Sequence, residues 1–372
     1  MRAIFPAVVF VALALVLPLP APVPVAHSQV TARAVASDVR QAHGLYITAT
    51  FTRDHGPADV IELLQNARMD TAVLDLKDAA GRVHHDSQIP ELQSAETGWL
   101  GDTRALVSAL HAAHLRAVAR IVCFNDPVLA VAQPDRAILD GRPHHQGEPW
   151  VSWGTGGQWL DPWDPRNHDM IVALADEAEA LGFDEIQLDY IRFPVDDGTD
   201  FATYPHEREG IRRRDLLHGL LARIDAAVDV PLGVDVFGIQ AFWDGDHSGL
   251  GQDLSLWAEH VDVFTPMLYL NSMRDWQRGT EHRARRLVQT GVRRLRERLG
   301  ERPVIRPFLQ AFEQGADEWS EDFIAEQLAG ARFGGADGYL FWHPGSQFTM
   351  VRRAMRLDGP AHWLRTFPLR EE

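Results

Sequence analysis

Cysteine and lysine each occur once in this chain of 372 residues, at Cys123 and Lys77. A lone cysteine can make neither an internal disulfide nor a thiolate metal cluster, which removes disulfide-stapled scaffolds and zinc ribbons. Positive charge is scarce as well: 36 Lys plus Arg stand against 52 Asp plus Glu, a formal net charge of −16. A phosphate-backbone partner needs a basic surface that releases counterions, so no nucleic-acid partner is expected. There is no Gly-x-Ser-x-Gly elbow, and the lone cysteine has no evident His and Asn frame, which leaves Ser or Cys nucleophilic hydrolysis without support. What is present is 45% hydrophobic and 24% charged residues, globular proportions in a chain long enough to bury a large core.

The first residues read as a targeting segment. Met1-Arg2 gives a positive start, Ala7 to Leu17 is apolar without a charge, and Pro18 to Pro24 breaks any helix. This is the pattern of a secretory signal peptide, taken as residues 1–28, with small residues for cleavage at Ala26-His27-Ser28 or Ala32-Arg33-Ala34. The apolar run is short for a membrane span, so none is expected after cleavage, and the mature protein is expected to be periplasmic or secreted. Residues 29–42 read as a linker and 359–372 as a C-terminal tail, around a single unit over 43–358. Cys123 lies in an apolar run and is expected to be a buried small hydrophobe.

Over that unit, short β-branched or apolar runs alternate eight times with helical periodicity. The predicted strands are Gly44 to Phe51, Thr71 to Lys77, Ala117 to Asn125, Glu185 to Phe193, Leu232 to Gly238, Val261 to Tyr269, Val304 to Phe312 and Gly338 to His343. Eight such cycles predict a (β/α)8 barrel, with a long loop after strand three. A doubly wound open sheet would need a phosphate-binding glycine turn after its first strand, where this chain has Thr48-Ala49-Thr50-Phe51.

In such a barrel, function belongs at the C-terminal strand ends, and the alternation of side chains tells which residues face the lumen. Leu74 and Leu76 oppose Asp75 and Lys77, Ile186 and Leu188 oppose Glu185, Gln187 and Asp189, and Val234 and Val236 oppose Asp235. The carboxylates of three strands therefore point inward, while strand three shows no clean alternation. Asp189 and Asp235, on neighbouring strands about 4.8 Å apart, can approach within roughly 5–6 Å. That suits a glycosidase pair, since retaining enzymes hold their carboxyls about 5–5.5 Å apart and inverting ones about 6.5–9.5 Å. Asp189 is the expected nucleophile and Asp235 the general acid/base, with the roles open to exchange. Lys77, the one exception to arginine usage, and Asp75 are expected to tune charge; ion pairs of the lumen with Arg120 or Arg306 are the bland alternative.

Sugars pack their CH faces on aromatic rings. Trp150, Trp153, Trp159 and Trp163 crowd the long loop, and Tyr190, Tyr269 and Trp342 stand at strand ends. The expected substrate contacts are Asp75, Lys77, Asn125, Asp161, Tyr190, Arg192, Tyr269, Gln310 and Trp342. His84-His85 and His144-His145 lack metal-ligand spacing, and neither a metal nor a cofactor is expected.

The segment Gly182-Phe183-Asp184-Glu185-Ile186-Gln187-Leu188-Asp189-Tyr190-Ile191-Arg192-Phe193-Pro194 resembles the signature of a bacterial family of glycoside-hydrolase-like barrels long grouped as a domain of unknown function. Ala72 to Asp78, Ala119 to Val122, Trp159 to Pro162, Val234 to Gly238, Thr265 to Tyr269 and Arg306 to Gln310 are similar to further blocks of that family, in order. The resemblance implies a (β/α)8 barrel with an extracytoplasmic, carbohydrate-active role and places Asp189 and Asp235 at its acidic positions. The chain departs from the pattern at Asn125, Leu270-Asn271-Ser272, Ala311 and His343. Two other readings stay open: a noncatalytic carbohydrate-binding barrel of the cell envelope, and a metal-dependent polysaccharide deacetylase, which needs a carboxylate and two histidines converging in space.

Overall fold

The computed structural model describes residues 36–356 except 196 and 247–248, so the expected signal peptide and C-terminal tail lie outside the described residues. Eight parallel strands form one closed sheet: β1 His43–Ile47, β2 Thr71–Lys77, β3 Arg116–Val122, β4 Glu185–Asp189, β5 Leu232–Phe237, β6 Val263–Met267, β7 in two pieces (Val304–Ile305 and Phe308–Gln310) and β8 Tyr339–Trp342. Closure comes where Gly44 of β1 pairs with Leu340 of β8, and Phe308 of β7 with both Leu340 and Met267. Around them run α1 Ala49–Asn66, α2 Thr103–Ala112, α3 Pro165–Ala180, α4 Arg213–Asp225, α5 Leu254–Trp257, α6 Arg283–Leu299, α7 Glu321–Gly334 and α8 Thr349–Arg356. The fold is a (β/α)8 barrel.

Local chemistry sets the strand ends. β1 stops short of Phe51 because the Thr48 hydroxyl accepts the Phe51 amide and starts α1. β4 stops at Asp189 because Tyr190 takes a φ of 52°, which turns Ile191 to Phe193 out of the sheet. Pro307, with no amide hydrogen, interrupts β7. In the loop between β3 and α3, Trp150, Trp159 and Trp163 are fully buried, whereas Trp153 is exposed. Leu139–Asp140 of this loop pairs antiparallel with Ala202–Thr203 from the loop after β4, so the two excursions brace one another.

Two layers of core follow from the strand alternation. Leu74, Leu76, Ala119, Ile121, Ile186, Leu188, Val234 and Val236 pack outward among helix residues such as Leu106, Leu174 and Leu221. Tyr46, Val73, Val118, Phe308 and Leu340 fill the lumen. β3 thus has an ordinary alternation, hidden in the sequence because beyond Arg116 both its faces are apolar apart from Arg120.

The floor of the lumen holds a fully buried ion pair, Arg306 with Glu185. Arg306 Nη1 also donates to the Val39 carbonyl at 3.3 Å, and Val39 packs on Val263 and Val304. The expected linker 29–42 therefore does not reach residue 42: the helical turn Ser37–Arg40 is a plug under the barrel, held by contacts from strands far away in the chain. Removing one partner of such a buried pair leaves an uncompensated charge. Arg306→Met is expected to lose about 3–5 kcal/mol of stability in urea unfolding, and Glu185→Leu added to it to recover most of that loss.

Candidate active site

Arg120 rises from β3 into the mouth of the lumen and meets carboxylates from three neighbouring strands. Its Nη1 donates to Asp75 Oδ1 of β2 at 2.5 Å, and its Nε donates to Asp189 Oδ2 of β4 at 3.1 Å. The same Nε lies 3.9 Å from Asp235 Oδ2 of β5. Register makes this meeting inevitable: Asp75 pairs with Arg120, Arg120 with Gln187, and Leu188 with Val234, which sets Asp189 beside Asp235. The two legs from Arg120 Nε set an upper limit of about 7 Å on the distance between those oxygens, which admits the carboxyl spacing of retaining glycosidases and the short end of the inverting range.

All four groups are buried, with Asp189 7% and Asp235 1% exposed. Their surroundings differ. Asp189 accepts from Arg120 through Oδ2 and from the Tyr190 amide through Oδ1 at 2.7 Å. Asp235 accepts only from Gln187 Nε2 through Oδ1, and its Oδ2 has no hydrogen-bond partner among the described residues. Burial, reinforced by the negative charge of Asp189 and only partly offset by Arg120, pushes the Asp235 carboxyl well above the ordinary carboxylate range. Burial also raises Asp75, against the pull of Arg120 and the Tyr46 hydroxyl, which donates to Asp75 Oδ2 at 2.6 Å. The phenols of Tyr46 and Tyr269 are raised by burial and by the facing carboxylates, Asp75 for the first and Asp235 for the second.

An aromatic rim stands over these groups. The Tyr46 and Trp342 rings lie 5.8 Å apart and nearly parallel, Tyr269 and Phe312 approach Trp342 at 5.9 and 5.5 Å, and Tyr269 and Trp342 remain half-buried. The site can offer a flat apolar face, an ion-paired carboxylate and a carboxyl that favours its proton.

The other residues expected at the site are placed elsewhere. Lys77 is fully buried, but a bulge after Asp75 shifts it from the lumen alternation, and its ammonium pairs with Asp126 at 2.9 Å and donates to the Val122 carbonyl at 2.8 Å. It serves the barrel wall rather than Asp75 or Asp189. Asn125 donates to the Ala79 carbonyl, and Gln310 bridges the Phe312 and Gln314 carbonyls and the Asn271 amide, so both brace loops. Asp161 accepts the Trp163 and His206 amides, and burial raises its carboxyl to about 6. Arg192 is buried between the rings of Trp159, Tyr190 and Phe237, 4.4–5.1 Å from their centroids, and positions the loop that carries Tyr190. Of the loop tryptophans, three are packed inside and only Trp153 is open, so they supply the loop's own core.

The histidines singled out for a deacetylase, His84, His85 and His343, do not converge on one carboxylate. His84 sits against Asp78 and Thr97, His85 against Glu177, and His343 Nδ1 accepts the Gly345 amide. Two members of the observed site were not singled out as such from sequence: Tyr46, in the interior of β1, and Arg120, flanked by apolar residues within β3.

The family model described as "Putative glycosyl hydrolase domain" matches residues 44–348. The chain belongs to this family. No curated protein matches it. Among solved structures, the chain is similar to the PgaB (BpsB) glycoside hydrolase domain from Bordetella bronchiseptica at 13% identity and a TM-score of 0.58, over 87% of this chain and 98% of that one. The alpha-galactosidase TtGalA from Thermus thermophilus follows at 18% identity and 0.53, over 91% of this chain and 64% of its own. Alpha-L-fucosidase isoenzyme 2 from Paenibacillus thiaminolyticus gives 15% and 0.57, over 87% of this chain and half of its own. At these identities the likeness is one of fold.

A raised folded-state carboxyl binds its proton in the native state where the unfolded chain has released it, so its share of stability is present below the unfolded value and lost as pH rises through the folded one. Asp235→Asn keeps the acceptor for Gln187 and removes this titration. The variant is expected to melt at higher temperature than the parent at neutral pH, with the gap closing below about pH 4. Thermal unfolding across pH reads the difference.

Proposed function

We propose that this glycosyl hydrolase domain cleaves the glycosidic bonds of a polysaccharide or oligosaccharide outside the cytoplasm, with Asp189 as nucleophile and Asp235 as general acid/base and with retention at the anomeric carbon. The observation that carries the reading is the unequal treatment of two adjacent carboxyls, one ion-paired with Arg120 and one pushed toward its protonated form by burial. The extracytoplasmic setting rests on the signal-peptide pattern of residues 1–28.

In the first step Asp189 attacks the anomeric carbon while the bond to the leaving oxygen breaks, and Asp235 gives that oxygen its proton. A glycosyl ester on Asp189 results. In the second step Asp235, now a carboxylate, takes a proton from water, whose oxygen attacks the anomeric carbon and releases Asp189. Arg120 offsets the charge on Asp189 before attack and after release. The rings of Tyr46, Tyr269 and Trp342 take the CH face of the sugar, and Asp75, tied to Tyr46 and Arg120, keeps both in place.

Among the described residues no helix is long and apolar enough to cross a membrane. The test is hydrolysis of a panel of bacterial exopolysaccharides and of α- and β-linked glycans, with binding recorded in parallel and folding followed by circular dichroism. Asp189→Asn is expected to abolish turnover, and Asp235→Asn to lower it at least about 100-fold, with product of retained configuration by NMR. Glycan binding without turnover, indifferent to Asp235→Asn, would instead identify a noncatalytic carbohydrate-binding barrel.

A further inference from the structure

Away from the lumen, on the helix layer, His218 of α4 meets Glu259 and His260, which close the turn between α5 and β6. One donor atom from each lies within 4.8 Å of the other two. We propose that these three side chains bind a zinc(II) ion, with water at the fourth position, as a site separate from the carbohydrate-cleaving centre.

The observations that separate this cluster from an ordinary surface salt bridge concern the imidazoles. His218 Nε2 is buried and has no hydrogen-bond partner, although Glu259 Oε2 stands 3.4 Å away. A buried imidazole nitrogen without a hydrogen-bond partner calls for an explanation, and a neutral ring nitrogen can serve as a metal ligand. That 3.4 Å separation also equals the ligand-to-ligand edge of a zinc tetrahedron, roughly 3.4 Å for bonds near 2.0–2.1 Å. The second ring is oriented for the same task. His260 Nδ1 donates to Asp225 Oδ2 at 3.0 Å, which leaves Nε2 as the lone-pair atom of that ring. A carboxylate behind a ligating histidine fixes its tautomer and raises its basicity. The His218 and His260 rings lie 5.0 Å apart, close enough for both to reach one ion. Glu259 is 66% exposed, so its carboxylate can swing onto the ion while solvent reaches the open position.

Two histidines and a carboxylate select a borderline divalent ion such as zinc over calcium or magnesium, which take oxygen ligands. The ion would tie α4 to the segment that leads into β6, across the connection over β5, where Asp262 already holds the Leu232 amide.

The test uses the purified chain freed of metal, zinc(II) titrated against a chromophoric chelator, and cobalt(II) as a spectroscopic probe. One equivalent of zinc is expected, together with the visible absorption of four-coordinate cobalt and a rise in melting temperature on adding zinc. His218→Asn and His260→Gln should each lose the site, and Asp225→Asn, which does not touch the ion, should weaken it about 10- to 100-fold. Glu259→Gln, at a side chain 66% exposed, should bleach the cobalt band. Failure of the parent to take up zinc, or uptake that the Glu259 and Asp225 variants leave unchanged, overturns the proposal. Hydrolysis of glycans decides neither outcome, so the two readings stand or fall separately.

Discussion

One guanidinium organises the mouth of this barrel. Arg120 is 5% exposed and reaches carboxylates on β2, β4 and β5, so three negative groups that would repel one another in a buried space are held around a single positive charge. One charge cannot neutralise three. The consequence is unequal sharing: Asp75 and Asp189 receive hydrogen bonds from Arg120, while Asp235, at the greatest distance, is left with the Gln187 amide and one oxygen unpartnered. Burial then acts on the least compensated group and drives it toward its neutral form. The difference in state between Asp189 and Asp235, on which the proposed roles rest, arises from where a single cation sits among chemically identical side chains.

That arrangement depends on the floor of the lumen as well. Glu185 and Arg306 neutralise one another at the opposite end, and the Ser37–Arg40 turn closes the space beneath them. The same alternation that sends Glu185 down the lumen sends Gln187 and Asp189 up it. A slip of one residue in β4 would exchange that polar row for Ile186 and Leu188, so packing of the outer layer and charge at the site are set by one register.

Much of this is legible in the residues. β2, β4 and β5 alternate cleanly, because one face of each meets helices and must be apolar while the other carries polar groups, and this was enough to bring Asp75, Asp189 and Asp235 together. β3 gave no such signal, since its lumen face is filled by Val118 below Arg120 and its outer face by Ala117, Ala119 and Ile121. Lys77 obeys the alternation in sequence but not in space: the bulge beyond Asp75 turns it toward Asp126, a partner supplied by the start of the long loop. Gln310, Asn125 and Asp161 are polar groups at strand ends that meet backbone amides and carbonyls of loops, and no periodicity distinguishes such bracing from a substrate contact. The turn at residues 37–40 was unreadable for a similar reason, as its partners Val263, Val304 and Arg306 are distant in the chain.

The central claim is the unequal state of two neighbouring carboxyls, and carbon-13 NMR of protein labelled at the aspartate carboxyls measures it directly. The Asp235 resonance, assigned by its loss in Asp235→Asn, is predicted to titrate well above the ordinary aspartate value of about 3.9. Titration of Asp235 at that ordinary value would contradict the account, because the group assigned as acid would then carry no proton to donate near neutral pH.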